Sequence, residues 1–492
     1  MAARSVEAGP HKTILTSWRK LAFAAFVLAY YLYFCWDSLW VHFDADDMMN
    51  LAAYWRLEPT QLLLSPLMIW RGDLRPLPGL VWVPALHWFG LNPVPYHVLI
   101  LLVLMGNVYL VYRFAKVLGC GDLPAGLASL IVCYHAGLAN LYYNTVFTYD
   151  VLCCFFYLSA LVYYARIRAS ERLLSRGQMA AFLGLFLCAV DSKEMALTLP
   201  AVLLAYEGFY HGLPRWSWKA WAAWLRGPGQ VLLLASVLDV VNLCGKFLGR
   251  HAIIHTAAYL PRFSMHRLWA YQIRSLGDLL YAWNYFRPFS VVVVYVILFY
   301  LAYRRVQGAP RPVLRFGWVF VMITPLPIEF LIGRGEACLA IPMVGWAVLG
   351  SMVFLDIART VSDFLAGEPL FQHLGRRVLF GAMVIAGVFF WACETRRLKE
   401  SDVRPVMART GELTWNTIRQ VQALNLHVRP HSTVAVLHDP CDGFDMEFIL
   451  ELCLLDRTVT VWQEKARPHT PEELAHADYV LDYRDGKLMR IR

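Results

Sequence analysis

Apolar stretches long enough to cross a lipid bilayer recur along this chain of 492 residues, and they constrain its fold more than any motif it carries. A spanning helix needs about 20 mostly apolar residues, and lipid offers no partner to unpaired backbone, so each stretch must satisfy its own hydrogen bonds. About eleven such blocks are predicted, near residues 21–41, 94–112, 123–141, 146–165, 178–191, 196–210, 229–245, 289–303, 313–332, 338–356 and 378–394. Composition agrees, with 58% hydrophobic and 16% charged residues against roughly 25% charged in a soluble domain. Disorder, a collagen-like repeat and a small disulfide scaffold are excluded, because the 11 cysteines mostly lie inside the blocks. The net charge of +9 does not point to nucleic acid. The Lys and Arg residues fall between apolar blocks, where membrane topology accounts for them.

No small-residue cleavage pattern follows the first block, so it reads as a retained span with the N-terminus in the cytoplasm. Alternation then puts Arg113 and Lys116 inside, followed by Arg166, Arg168, Arg172 and Arg176, then Arg304, Arg305, Arg311 and Arg315, then Arg376 and Arg377. Each short loop obeys the positive-inside rule. An odd number of crossings carries the polar segment 395–492 to the extracytoplasmic side. There Ser432 to His438 and Tyr479 to Tyr483 read as strands, Phe444 to Leu455 as a helix and Asp485-Gly486 as a turn, a small α/β domain following a membrane domain over 1–394. Two long outer loops are predicted, 42–92 and 246–288, the first punctuated by Pro59, Pro66, Pro76, Pro78 and Pro84. No repeat is visible.

Three charged constellations fall on that outer side. Asp44, Asp46 and Asp47 lie within four residues just after the first span, close enough for mutual repulsion to raise a pKa and create a general base. The plainer alternative is an acidic turn capping a helix that begins near Met48, with Asp46 or Asp47 as N-cap. Lys193 in Asp191-Ser192-Lys193-Glu194 suits a phosphate, with Glu194 orienting it or an acceptor, or else snorkels and pairs with Glu194 or Asp191. Arg334, flanked by glycines and followed by Glu336, suits bidentate contact with a departing phosphate, or else makes a surface pair in a tight turn. Arg75 is a further candidate of this kind. His42, His87, His97 and His135 lack metal-ligand spacing, and the Cys153-Cys154 pair reads as packing. Cys441 and Cys453 are a possible external disulfide. Trp269, Tyr271 and Trp283 are available to stack on sugar rings.

The order of these segments resembles the GT-C class of integral-membrane glycosyltransferases, within it the O-mannosyltransferase-like group that includes the transmembrane and tetratricopeptide-repeat proteins. The resemblance covers most of residues 20–350. Asp46-Asp47 is similar to that group's acidic pair, and Arg75-Pro76-Leu77, then Phe89-Gly90-Leu91-Asn92-Pro93 with Tyr96-His97, to its RPL, FGL-x-P and F/Y-H sequence. Ser192-Lys193-Glu194 with Pro200 resembles its SKE motif, and Glu336 to Pro342 its ERYLYLP stretch. Ala337 stands where the family commonly has Arg, and no tetratricopeptide tail follows, which suits a shorter, bacterial relative of the inner membrane.

The resemblance implies a polyprenyl-phosphate-linked sugar as donor, a hydroxyl-bearing protein, lipid or glycan as acceptor, and inverting transfer on the non-cytoplasmic side. Asp46 or Asp47 is then the base, while Lys193 and Arg334 neutralise the leaving phosphate, with Arg75, Glu194, Glu336 and Asp44 in substrate binding. Metal-independent action is preferred, because no second cluster of hard oxygen ligands is evident, although the acidic cluster leaves a divalent ion as an alternative. The rival readings are a lipid or solute transporter, whose ionisable groups belong near mid-span, and a non-catalytic component of an envelope assembly.

Overall fold

The computed structural model describes residues 10–71, 75–248, 252, 255–256, 259–281, 292–293, 295–296, 311–331, 333–334, 336–368, 372–441, 445–468 and 470–492. Seven helical segments among them are long and apolar enough to cross a membrane, at Leu21–Trp40, Pro93–Val117, Thr145–Arg168, Gln230–Leu248, Pro312–Glu329, Ala337–Gly367 and Gly375–Ala423. Three further blocks form shorter helices, Asp122–Cys133, Arg176–Ser192 and Leu199–Tyr210. The block at 289–303 lies outside the described residues except for four positions. The expected span at 123–141 breaks at Cys133, where Tyr134 turns extended and the chain crosses the bundle as short turns. Burial fixes that break, because His135 Nε2 meets the carbonyl oxygen of Leu279 at 2.9 Å and the Tyr134 ring stacks on Phe34.

Helix contacts use small residues where backbones approach, as membrane packing favours. Gly345 faces Phe320 and Val321 with no room for a Cβ. At one end of the bundle, Arg168 donates from Nε and Nη2 to the two Glu207 oxygens at 2.8 and 2.9 Å, and Tyr164 donates to the same carboxylate. A residue predicted only to mark the cytoplasmic face therefore ties two helices together through a buried pair.

The segment after the first span, expected as a long loop, folds into helices. Asp44 is the N-cap of the Ala45–Trp55 helix, not Asp46 or Asp47, and the helix begins three residues earlier than Met48. Pro76 opens the Pro76–Phe89 helix at its first position, where a missing N–H costs nothing. Met48, Leu51 and Ala52 of the first of these helices share one apolar core with Ile418, Met446, Ile449 and Leu450 of the C-terminal segment.

That segment holds four strands, β1 Thr433–Leu437, β2 Thr460–Gln463, β3 Tyr479–Arg484 and β4 Lys487–Arg490, in the order β2-β1-β3-β4. The first three are parallel, with Val434 opposite Val461 and Tyr479, and β4 returns antiparallel through the Asp485-Gly486 turn. Both turn residues have positive φ, 51° and 77°, as a two-residue hairpin of this kind requires. The sheet unit is clamped onto the helices that follow the first span by Arg56, whose guanidinium meets Glu447 and Glu451 at 2.7 Å each. Arg457 reaches Glu58 at 2.9 Å, and the His42 ring stacks on Trp415. Cys441 and Cys453 are free thiols.

Gly411 sits at φ +71° where the chain enters the Glu412–Ala423 helix, and a Cβ there would overlap the carbonyl oxygens of His42 and Phe43. Gly411→Ala is expected to weaken this docking by at least about 1–3 kcal/mol. The readout is faster limited proteolysis of the C-terminal segment, and wild-type digestion rates would contradict the close approach.

Candidate active site

The three aspartates that follow the first span have separate fates. Asp47 is buried and its carboxylate is fully engaged, one oxygen accepting from Thr145 Oγ1 at 2.7 Å and from the Val146 N–H at 2.5 Å, the other from the Asp44 N–H at 2.9 Å. Asp44 returns the bond by accepting from the Asp47 N–H, and its second oxygen accepts from Asn144 Nδ2 at 3.1 Å. Burial, followed by the charge of Asp44, pushes the Asp47 carboxyl well above the usual range, and burial raises Asp44 as well. Asp46 is exposed at the same helix N-terminus. None of the three lines either of the cavities described below. Asp47 does hold the turn that delivers Phe147, which lines one of them.

The predicted cations do converge. Lys193 follows the Arg176–Ser192 helix, and its Nζ donates to both Asp150 oxygens at 2.7 Å, with Cys338 Sγ at 3.2 Å. Its partner is therefore Asp150, not Glu194 or Asp191. Burial works against the Lys193 charge, but Asp150 outweighs it and holds the ammonium above its ordinary pKa. Glu194 instead takes Arg75 in a two-point contact, Nε at 3.0 Å and Nη2 at 2.8 Å, and Lys246 Nζ at 2.7 Å. Burial would raise the Glu194 carboxyl, yet Arg75 and Lys246 hold it well below the usual range. Arg334 lies over the Tyr259 ring with its guanidinium carbon 4.3 Å from the centroid. Its Nε is buried and makes no hydrogen bond among the described residues. Glu336 occupies the short turn Glu336–Leu339, and its side chain lies outside the described residues.

Two cavities meet at this cluster and share Lys193, Leu331, Arg334 and Cys338. One, of about 370 Å³, is walled by Leu243, Phe247, Phe263, Ile328 and Phe330 and carries Arg75, Glu194 and Lys246 at its polar end. The other, of about 550 Å³, is the more polar of the two, with Arg267, Arg274, Asp278 and Glu329 in its wall. An apolar trough ending in cations beside a polar chamber fits an amphiphile with an anionic head.

Asp150, Lys246, Tyr259 and Glu329 were not singled out from the sequence. Asp150 carried a usable signal, since an ionisable residue inside an apolar block is a site candidate by default, whereas Lys246 sits one residue past the block ending at 245. Among the described residues no three His, Cys, Asp or Glu side chains gather as metal ligands. The oxygens of Asp44 and Asp47 accept hydrogen bonds from within the loop and from the 144–146 turn. Trp269 and Tyr271 both belong to the Met265–Leu279 helix, with Tyr271 on the polar chamber, and Trp283 lies outside the described residues.

No family model and no curated relative matches the chain. Solved structures do match. ArnT from Cupriavidus metallidurans, both bound to undecaprenyl phosphate and in the apo state, gives a TM-score of 0.52 at 12% identity, over 96% of this chain and 97% of that one. The apo oligosaccharyltransferase from Archaeoglobus fulgidus gives 0.50 at 11% identity, over 94% of this chain and 69% of that one. At such identity the likeness is one of fold. The chain is thus an integral membrane protein that shares the fold of these two proteins.

Proposed function

We propose that this protein is an inverting glycosyltransferase that moves a sugar from a polyprenyl-phosphate donor to a hydroxyl acceptor on the non-cytoplasmic side of the membrane. The observation that carries the reading is the junction of the apolar cavity with Arg75, Lys193, Lys246 and Arg334, where four cations gather beside Asp150 and Glu194. A polyprenyl chain fits the apolar walls and its phosphate the cationic end. Binding of undecaprenyl phosphate by ArnT, a protein of the same fold, supports that choice of donor.

In the proposed step the acceptor hydroxyl loses its proton to Asp46, which is exposed outside both cavities and so meets the acceptor where it enters, as the acceptor oxygen attacks the anomeric carbon from the face opposite the phosphate. The bond from that carbon to the phosphate oxygen breaks, and Lys193 and Arg334 neutralise the charge that develops on the leaving group. Asp44 and Asp47 act as positioning residues through the 144–146 turn. Glu336 is retained as a substrate contact on its sequence alone. The same proposal includes about eleven spans, a cytoplasmic N-terminus, a membrane domain over 1–394, an extracytoplasmic domain over 395–492, and an O-mannosyltransferase-like role in a bacterial inner membrane.

The test is release of free polyprenyl phosphate by purified protein in lipid, offered a panel of polyprenyl-phosphate sugars with and without chelator. Arg334 has no carboxylate partner among the described residues, so Arg334→Gln removes a phosphate contact without stranding a charge. It is expected to lower kcat/KM about tenfold to a hundredfold, the equivalent of one charge-assisted bond. Unchanged kinetics would remove Arg334 from the site, and no release from any donor would end the enzyme reading.

A further inference from the structure

The polar chamber carries more unmet chemistry than a phosphate on the shared cations uses. Glu329 is 1% exposed, and while one of its oxygens accepts from Gln272 Nε2, the other has no hydrogen-bond partner among the described residues. Arg267, on the Met265–Leu279 helix, has a buried Nη1 with no partner among the same residues. Both side chains line the chamber. Buried polar atoms are rarely left unmet, and each costs about 1–3 kcal/mol, so a cavity holding two of opposite character is shaped for a ligand that answers both. Two of the other cations of this wall have carboxylate partners. Lys193 is held by Asp150, and Arg274 stands 3.9 Å from Asp278.

We propose that the polar chamber binds a saccharide unit bearing a negatively charged group, a carboxylate or a phosphate, which Arg267 receives while Glu329 accepts a hydroxyl of the same ligand. A guanidinium recognises either anion by paired N–H donors, and a buried carboxylate oxygen selects a donor such as a sugar hydroxyl. Phe147 and Tyr271 supply aromatic walls. The inference rests on the transferase reading and narrows its substrate class. The acidic unit is either the donor's sugar or part of the acceptor, and the two sources separate by experiment.

Purified protein in lipid nanodiscs is titrated with an acidic oligosaccharide, a trimer of galacturonate, and with its neutral galactose counterpart, in the absence and presence of polyprenyl phosphate. Wild type is expected to bind the acidic trimer about tenfold or more tightly than the neutral one, as one charge-assisted contact gives. Arg267→Gln should bring the two within about twofold, and Arg267→Lys, which keeps the charge but not the paired donors, should restore part of the preference. Equal binding of the two trimers by wild type, no binding of either, or a preference that survives Arg267→Gln overturns the proposal. Polyprenyl phosphate binding is read alone in the same discs, and its absence would sink the transferase reading without touching the trimer comparison. Turnover of polyprenyl-phosphoryl hexuronate against hexose, and of phosphorylated against plain acceptors, assigns the acidic unit to donor or acceptor.

Discussion

Glu194→Gln is expected to destabilise the protein by about 3–5 kcal/mol, the cost of removing one partner from a buried ion cluster. The carboxylate is shared between the two-point contact from Arg75 and the ammonium of Lys246. Lys246 is 3% exposed and its neighbour Gly245 packs against the Trp70 backbone, so the ammonium has no easy route to water. A glutamine keeps the volume but leaves two cations facing a neutral amide. The depressed pKa of Glu194 sets the pH window. Its stabilisation is complete above the ordinary glutamate pKa of about 4.3 and is lost only as pH falls through the lower value it has in the folded protein. Melting in nanodiscs should therefore show a large drop for Glu194→Gln at neutral pH that narrows under strong acid. Adding Arg75→Gln should cost less than the sum of the singles, because the first loss has already broken the shared contact. A variant that melts with wild type would show that the cluster is not buried as described.

How much of this was legible in the sequence depends on the range of the interaction that decides each feature. Apolar blocks such as 94–112 and 338–356 are set by lipid alone and appear as the Pro93–Val117 and Ala337–Gly367 helices. β1 and β3 announce themselves by apolar runs, while β2 and β4, with four residues each, are too short to show alternation. Lys193 and Arg334 were visible as charges at the ends of spans, and they line the same two cavities. Their partners were not visible. Asp150 lies 43 positions before Lys193, and Arg75 lies 119 before Glu194, so local spacing suggested a Lys193–Glu194 pair that the fold does not make. The clamp between Arg56 and Glu451 joins residues 395 apart, and no pattern near either residue encodes it. The acidic cluster was legible as a cluster, but whether each carboxylate caps a helix, braces a turn or faces solvent depends on Thr145 and Val146 arriving from another part of the chain.

That division of labour gives the sharpest functional prediction. Asp46→Asn should lower turnover by about 10²–10⁴-fold, the range for loss of a general base, with melting temperature and donor KM near wild type because Asp46 is exposed and its side chain braces nothing among the described residues. Asp47→Asn should behave in the opposite way. Its amide oxygen can still accept from Thr145 Oγ1 and the Val146 N–H, while its NH₂ cannot accept from the Asp44 N–H, so one bond of the capping box is lost. A neutral amide also relieves the charge that burial and Asp44 disfavour at this position. The expected result is a stability change within about 1 kcal/mol and most of the turnover retained. Measuring kcat for both variants against the same polyprenyl-phosphate sugar decides between the two carboxylates. If Asp47→Asn is the silent enzyme and Asp46→Asn turns over normally, the base is the buried residue and the hydrogen bonds that occupy it must open in the reacting complex.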